Sequence, residues 1–383
     1  MARVCILGGG FGGLSAATKL RDLLDDGDEI LLVARDDRFA MGWTKIWDLV
    51  GIRPLEEGLR SLRALDGRGV RFVQSDITGI SGEHRAVETN DGTIEADALL
   101  VALGAADAPA QTGQLDGQVA HNLYSFEALP GMREALGRFD GGSLLVAVMG
   151  QPFKCPPAPF EAILAIDEQL RERGERNAAT LTMATPSPGA LPVAGPAASQ
   201  AIADALGERD IALRTEHLVT KVHTGRRVVT FDTGEEAGFD LLFAVPGSVA
   251  PAVVADSDLA ADDGWIHPEP STLRTDLELV YAVGDCTTVP TATAALPKAG
   301  VFAAAEGEVA AQNIAADLGK GEPATFDGHG FCYLEFPGRQ VARVEGNFFA
   351  TPQPDVTMQA PSAAAYEAKL AFEAERLTAW FGG

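Results

Sequence analysis

Hydrophobic and polar positions near the start of the chain follow two different repeats. Residues 3–7 form a nearly continuous apolar run that predicts a short strand, and a second run at 29–34 predicts another. Between them, apolar residues recur at helical spacing, at Leu14, Ala17, Leu20 and Leu24. The order strand, helix, strand is typical of the first unit of a parallel α/β fold.

A glycine-rich segment, 8–13, connects the first strand to the helix. Its glycines allow a tight turn, a close approach of a pyrophosphate and close packing of the helix on the sheet. The helix then directs unpaired N–H groups at the phosphates. We therefore predict a dinucleotide site formed by Gly8, Gly10, Phe11 and Gly13. The alternative is a glycine turn with only a structural role.

The second strand ends without the acidic residue that usually holds a ribose hydroxyl. Ala34 takes that position, and Asp36 and Asp37 follow shortly after it. Asp36 is therefore a candidate for the ribose contact, and the alternative is that backbone or water holds the ribose.

Two later strands indicate which dinucleotide is bound. The apolar run 98–101 leads into Ala102-Leu103-Gly104, and the run 279–283 leads into Gly284-Asp285. These segments resemble the flavoprotein signatures of oxidoreductases with two dinucleotide-binding domains. The resemblance implies FAD as the cofactor, held by Ala102, Gly104, Gly284 and Asp285, with the aspartate on the ribityl chain.

A further helix is predicted after the Gly-Asp pair. Pro297 and the alanine-rich residues that follow favour a helix beginning near Leu296. Its N-terminus would face the electron-rich edge of the flavin, which favours the anionic reduced form.

A second α/β unit has an unusual connection between its strand, 143–149, and its helix, 159–170. Prolines replace the expected glycine-rich loop, at Pro152, Pro156, Pro157 and Pro159. Proline lacks the N–H that a pyrophosphate needs, and its ring fills the space that a pyrophosphate would occupy. Nicotinamide binding is therefore disfavoured.

The same connection places Cys155 at the start of the predicted helix, beside Lys154. A helix N-terminus and a neighbouring cation both stabilise a thiolate and lower the pKa of the thiol. We therefore predict that Cys155 is reactive, against the alternative of a buried apolar thiol. Cys5, inside a predicted strand, and Cys286, without an activating neighbour, are predicted to be structural.

Three segments, 154–161, 296–302 and 330–335, together resemble one family. This is the sulfide:quinone oxidoreductase and flavocytochrome c sulfide dehydrogenase family, within the FAD-dependent pyridine nucleotide-disulfide oxidoreductases. The resemblance implies that Cys155 and Cys332 face the flavin as a disulfide or polysulfide bridge. It also implies that Lys298 lies near the flavin or acceptor and that Glu161 handles protons. The alternatives are that Lys298 only balances flavin charge and that Glu161 only complements a helix N-terminus.

The family chemistry implies that a hydrosulfide anion attacks the bridge, leaving a persulfide on one sulfur and a thiolate on the other. Two electrons then pass to FAD and on to a quinone. Two alternatives stay open. One is an NADH-dependent quinone or disulfide reductase, and the other is a flavin-bound redox sensor without turnover.

Two departures from the family pattern change these expectations. Residues 119–127 lack the third cysteine that quinone-reducing members often carry, which calls into question a polysulfide release that depends on it. Residues 39–48 lack the cysteine that links FAD covalently in the flavocytochrome branch. We therefore expect noncovalent FAD. The flavocytochrome branch is also exported, and no export signal is expected here, so a quinone is favoured over a cytochrome partner.

Composition limits the partners. The chain has 383 residues, with 30 basic and 54 acidic side chains and a net charge of −24, so a nucleic-acid partner is excluded. No apolar run is long enough to span a membrane, and no signal peptide precedes the first strand, so cytoplasmic residence is predicted. No histidine or cysteine grouping indicates a metal site.

Residues 362–381 predict a capped helix with one apolar stripe, formed by Tyr366, Leu370, Leu377 and Phe381. Membrane-bound family members use terminal amphipathic helices with basic polar faces as anchors at the membrane surface. Here the polar face is predicted to carry Glu367, Glu373 and Glu375 together with Lys369 and Arg376. We therefore favour docking on the same domain, or in a homodimer interface, over peripheral contact with the cytoplasmic membrane face.

These features predict an α/β, glutathione-reductase-like architecture with two Rossmann-like dinucleotide-binding domains. The FAD-binding domain is assigned to residues 1–108 and 251–319, and the second Rossmann-like domain to 109–250. The C-terminal segment, 320–383, carries Cys332 and the amphipathic helix.

Overall fold

The computed structural model describes residues 1–382. The predicted strand, glycine turn and helix open the chain, and small strands and short helices follow. In order these are β1 (Arg3–Leu7), α1 (Phe11–Leu23), β2 (Glu29–Ala34), β3 (Arg38–Phe39), α2 (Trp43–Leu49), α3 (Leu55–Gly58), β4 (Arg60–Ser61), β5 (Arg71–Gln74), β6 (Ile77–Ser81), β7 (Ala86–Thr89), β8 (Gly92–Glu95), β9 (Ala98–Val101) and β10 (Ala106–Asp107).

The middle of the chain forms a second α/β unit. Its elements are α4 (Pro109–Thr112), β11 (Ala120–Asn122), α5 (Leu129–Arg138), β12 (Gly142–Val148), α6 (Ala158–Glu172), β13 (Ala179–Ala184), α7 (Gly195–Gly207), β14 (Ile211–Arg214), β15 (Val219–His223), β16 (Val228–Phe231), β17 (Glu236–Gly238), β18 (Leu241–Val245) and β19 (Ser248–Val249).

The remaining residues return to the first unit and then form a C-terminal layer. Their elements are α8 (Ala252–Ala255), β20 (Val280–Ala282), α9 (Gly300–Asp317), β21 (His329–Phe336), β22 (Gln340–Asn347), β23 (Asp355–Met358) and α10 (Ala363–Phe381). No helix within residues 1–382 has both the length and the apolar character that crossing a bilayer requires.

Two five-stranded sheets define the architecture. The first has the order β20-β9-β1-β2-β5 and the second β11-β18-β12-β13-β14, and every strand pair in both is parallel. The chain leaves the first sheet after β9 and rejoins it at β20, so the second sheet is built from the intervening residues. The inner strands read as apolar runs because helices and loops cover both faces. The predicted fold class is confirmed.

The helix predicted to begin near Leu296 begins later, at Gly300. Residues 296–299 are held outside the helix by backbone hydrogen bonds, because Leu296 N–H donates to Val289 and the Lys298 carbonyl accepts from Cys155. Ala299, which precedes the helix, has an extended backbone. The expectation from Pro297 was therefore wrong by about one turn.

The C-terminal helix α10 is capped by Ser362, as predicted, but its buried face differs from the predicted stripe. Lys369 and Glu373, assigned to the polar face, are buried, because Lys369 pairs with Glu335 and Glu373 pairs with Arg53. Trp380 packs edge-on against Phe11 and Phe39. The helix is thus docked on its own chain.

Candidate flavin and thiol site

The glycine loop after β1 has no room for side chains at two of its predicted positions. A Cβ on Gly13 would lie 1.9 Å from the Gly8 carbonyl oxygen, and one on Gly8 would lie 2.3 Å from that of Ala102. Gly10, in contrast, faces open space, and α1 begins there without a side-chain cap. Uncapped N–H groups above an open glycine fit a pyrophosphate, so these residues fit FAD.

A cavity of ≈ 390 Å³ lies beside this loop, at the carboxyl ends of β1, β2 and β9. Asp36 lies in its wall and forms an ion pair of 2.6 Å with Arg38. Ala102 continues the β9 pairing by donating its N–H to Leu7, and Gly104 has a left-handed backbone at φ +67°. The structure therefore places these three residues at the same end of the sheet as the glycine loop.

The Gly284-Asp285 turn follows β20, at the same end of the first sheet as the glycine loop. Lys298 donates to the carbonyl oxygens of Asp285 (2.7 Å) and Thr287 (3.1 Å), and its Nζ lies 3.6 Å from the ring centre of Trp265. Burial raises the pKa of Asp285 and lowers that of Lys298. Lys298 thus lies against the Asp285 turn, and it does not line the cavity that holds the two cysteines.

A buried carboxyl that sequence reasoning missed supports this turn. Glu306 on α9 accepts a hydrogen bond of 2.6 Å from the Gly284 N–H, and burial raises its pKa to about 7. The helix can approach so closely because Gly307 faces Gly12 of α1, where a Cβ would lie 2.3 Å from the Gly12 carbonyl oxygen. In the sequence, only the small residues of α9 indicated that this helix packs closely against a neighbour.

Cys155 and Cys332 line one mostly apolar cavity of ≈ 230 Å³, and both thiols are free. The two segments are joined by Glu161 of α6, which accepts a hydrogen bond of 2.7 Å from the Glu335 N–H of β21. Phe11 also lies in the wall, so the cavity reaches the glycine loop. Tertiary structure therefore brings together two cysteines that are far apart along the chain.

The backbone of Cys155 is held in an uncommon conformation. Its φ of +46° is left-handed, which non-glycine residues adopt rarely. Its N–H donates to the Lys298 carbonyl, and its own carbonyl accepts from the Tyr124 hydroxyl (3.1 Å) and the Ala158 N–H (3.0 Å). These contacts fix the backbone of Cys155, and with it the Cα–Cβ bond that carries the thiol, before any ligand binds.

The expectation of a lowered Cys155 pKa was wrong. Burial raises its pKa well above the ordinary value, and the neighbouring Cys332 and Glu161 raise it further. Lys154 does not counter this effect, because its Nζ forms an ion pair of 2.7 Å with Asp107. Burial also raises the pKa of Cys332 to about 12. As free thiols, both cysteines are therefore protonated at neutral pH.

A buried polar network lies behind the thiols. Lys369 of α10 pairs with the Glu335 carboxylate at 2.6 Å, and the Trp47 indole N–H donates to the same carboxylate. Burial lowers the pKa of Lys369, but the Glu161 and Glu335 carboxylates outweigh this and raise it. Burial raises the pKa of Glu161 to about 7. Sequence reasoning missed Lys369 and Glu335, because a charged residue on an amphipathic helix or strand predicts an exposed side chain.

Lys45 of α2 is a second cation in the wall of the cysteine cavity. Its amine donates to the Tyr124 carbonyl oxygen and lies 4.5 Å from the ring centre of Phe126. Burial lowers its pKa to about 8. No sequence motif pointed to this residue.

The two parallel sheets, the glycine loop and the Gly284-Asp285 turn define a flavoprotein with two dinucleotide-binding domains. The model of the pyridine nucleotide-disulphide oxidoreductase family matches residues 2–129 and 169–300, and the chain belongs to this family. It is a flavin-dependent oxidoreductase with FAD as its cofactor.

Individual relatives agree with the family resemblance seen in the sequence, which is confirmed. The mitochondrial sulfide:quinone oxidoreductase of Mus musculus is 25% identical over 365 residues, covering 91% of this chain and 79% of the relative. A demethylphylloquinone reductase of Synechocystis is 28% identical over 308 residues, covering 74% of this chain and 71% of the relative. The sulfide:quinone oxidoreductase structure from Aquifex aeolicus superposes with a TM-score of 0.88 at 21% identity, covering 100% of this chain and 92% of that one.

Proposed function

We propose that the chain oxidises hydrosulfide, or a related small sulfur species, through a redox pair of Cys155 and Cys332 and passes the electrons through FAD to a quinone. The observation that carries this proposal is the cavity shared by the two cysteines, which reaches the glycine loop at Phe11. The names of the Mus musculus and Aquifex aeolicus relatives support the same chemistry.

The proposed reaction starts from a disulfide between the two cysteines. A hydrosulfide anion breaks the S–S bond, forming a persulfide on one cysteine and a thiolate on the other. Removal of two electrons and one proton then joins persulfide and thiolate as a trisulfide that keeps the added sulfur atom. FAD, when bound, accepts the two electrons.

Glu161 is proposed to protonate the departing cysteine and to take that proton back when the trisulfide forms. A buried thiolate is unfavourable here, because burial raises the pKa of both cysteines. Glu161 lines the same cavity, and with a pKa of about 7 it is partly protonated near neutral pH. Such a carboxyl can act as a general acid in bridge opening.

The aromatic side chains around Lys369 support a quinone as the acceptor. Lys369 and the rings of Trp43 and Tyr333 line the cysteine cavity, and Phe331 packs edge-on against Tyr333. An aromatic wall beside a buried cationic donor is suited to a flat, apolar ring that carries oxygen acceptors. A lipid-soluble quinone requires approach to a bilayer, so peripheral membrane contact belongs to this proposal. Residence on the cytoplasmic side stays a prediction.

A second candidate is an NADH-dependent quinone reductase. A cavity of ≈ 470 Å³ at the carboxyl ends of β12 and β13 favours it, because nucleotides bind at that position in parallel sheets. The walls of this cavity include Pro152, Pro156 and Pro192, which offer no N–H to a pyrophosphate. Sulfide oxidation is therefore the better supported proposal.

Anaerobic flavin bleaching separates the two candidates. Sulfide is added to the purified yellow protein, followed by a soluble quinone, and NADH is tested in a parallel sample. We expect sulfide to bleach the flavin and quinone to restore its colour. Cys155→Ser and Cys332→Ser should each abolish bleaching by sulfide, whereas Cys286→Ala, outside the cavity, should bleach normally. Bleaching by NADH alone would reject sulfide oxidation.

A further inference from the structure

The cavity at the carboxyl ends of β12 and β13, here called the crevice, has the largest volume among the cavities described above, at ≈ 470 Å³. One wall includes residues 151–153, 187 and 190–193, which follow these two strands. The other wall comes from the FAD-binding domain and includes Trp265 and Lys298. The crevice therefore occupies the general ligand position of an open parallel sheet.

A smaller cavity of ≈ 40 Å³, here called the neck, connects the crevice to Cys332. The two cavities share four wall residues, Pro156, Leu191, Val193 and Pro297. Cys332 and Ala299 lie in the walls of both the neck and the cysteine cavity, whereas Cys155 lines only the cysteine cavity. Cys332 can thus be approached from two sides.

The chemistry of the neck limits what can enter it. Apart from Cys332, every wall residue is apolar, including Pro157, Phe331 and Phe348. A small anion would lose its hydration there without gaining a charged or hydrogen-bonding side chain. A chain of neutral sulfur atoms has little hydration to lose and is already anchored if it grows from Cys332.

We infer that the crevice and neck hold the oxidised sulfur as a neutral chain attached to Cys332 and guide it out of the protein. The inference rests on the proposed function and deepens it, because it names the route of the product. Release takes two attacks. One hydrosulfide attacks the bridging sulfur and breaks its bond to Cys155, so Cys155 leaves as a thiolate and the chain, now ending in S–H, stays on Cys332. A second hydrosulfide attacks the chain sulfur bonded to Cys332, a new S–S bond forms, and Cys332 leaves as a thiolate. The two thiolates re-form the disulfide by giving two electrons to FAD, the acceptor of the proposed function. The released polysulfide carries both the chain and the attacking sulfur.

Val193 offers the sharpest test, because it lies in the walls of both cavities and is 42% exposed, so a larger side chain leaves the core intact. Val193→Trp fills the neck, and Val193→Phe fills it partly. Val249→Trp is the matched control, since Val249 is 37% exposed and lines neither cavity. Each holoenzyme is assayed for the first bleaching of flavin by sulfide and for steady turnover with a soluble quinone. Protein-bound sulfur is then measured as the thiocyanate formed with cyanide.

We expect all variants to bleach within twofold of the wild-type rate. Val193→Trp should turn over at least fivefold more slowly and retain less than half of the cyanide-labile sulfur, with Val193→Phe intermediate. Equal turnover and equal bound sulfur in Val193→Trp and Val249→Trp would overturn the inference while leaving sulfide oxidation intact. If sulfide fails to bleach the wild-type flavin, the proposed function itself fails and the inference falls with it.

Discussion

The backbone N–H of Cys155 donates a hydrogen bond to the carbonyl oxygen of Lys298. This bond joins the proline-rich loop of the second domain to the extended segment that precedes α9 in the FAD-binding domain. It keeps Lys298 outside the helix and helps to hold Cys155 at φ +46°. One backbone contact thus helps to set both the start of a helix and the backbone of the residue that carries the thiol.

The left-handed backbone of Cys155 predicts a difference between two variants that both lack the thiol. Glycine adopts a positive φ readily, whereas alanine keeps a steric cost of about 1–2 kcal/mol there. The greater entropy of glycine in the unfolded chain offsets part of this gain. We expect Cys155→Gly to be more stable than Cys155→Ala by roughly 0.5–1 kcal/mol in denaturant unfolding. An alanine variant of equal or greater stability would show that the backbone is not strained.

Glu161 predicts a dependence of flavin bleaching on pH. Its pKa of about 7 means that the proton needed for bridge opening is lost as the pH rises through 7. The bleaching rate, corrected for the fraction of sulfide present as hydrosulfide, should therefore fall above that pH. Glu161→Gln should be slower by about 10²–10⁴-fold and lose this dependence, which stopped-flow absorbance can measure. A wild-type profile that stays level from pH 6 to 9 would argue against the general-acid role.

The same carboxyl also predicts how stability changes with pH. Its folded pKa lies above the ordinary value of 4.5 because burial disfavours the charged form. Its contribution to the free energy of unfolding is therefore fully present below about pH 4.5 and is lost as the pH rises towards 7. Over this range the wild type should lose stability relative to Glu161→Gln, as followed by denaturant titrations at several pH values. A constant difference between the two proteins would contradict the burial of a titrating Glu161.

Substitution of Lys369 is expected to change both the stability of the protein and the pKa of Glu161. Its removal leaves the Glu335 carboxylate without its cation, which for a buried pair costs roughly 3 kcal/mol. Lys369 also lowers the pKa of Glu161, so Lys369→Met should move the fall in bleaching rate to higher pH. Lys369→Arg keeps the charge and should restore the original midpoint. If the methionine variant unfolds less easily than the wild type and keeps its pH midpoint, the pair has no such role.

The sequence predicts the cofactor half of the site better than the thiol half, for a physical reason. The glycine loop lies between a strand and a helix that are its direct neighbours in the sequence. The spacing of its glycines is therefore enough to predict the turn that the structure contains. The environment of Cys155 depends instead on β21 and α10, whose residues are far away along the chain. Burial by these distant elements raises the pKa of Cys155, whereas its sequence neighbour Lys154 had suggested a lowered pKa. Lys369 and Glu335 were not predicted as site residues, because a charged side chain can be buried only beside a partner of opposite charge. The sequence does not show that these two residues form such a pair.

Two glycines of the loop predict separable effects on folding and on FAD. Gly13→Ala places a Cβ 1.9 Å from the Gly8 carbonyl oxygen, so the loop must distort, and both stability and FAD content should fall. Gly10→Ala meets no protein atom within 4 Å and has an ordinary negative φ, so its unfolding midpoint should stay close to that of the wild type. Its methyl group nevertheless enters the space where a pyrophosphate approaches the N-terminus of α1. We therefore expect Gly10→Ala to release FAD more readily during dialysis, as measured by the absorbance ratio of flavin to protein. Full FAD retention in Gly10→Ala, together with loss in Gly13→Ala, would place the pyrophosphate away from Gly10.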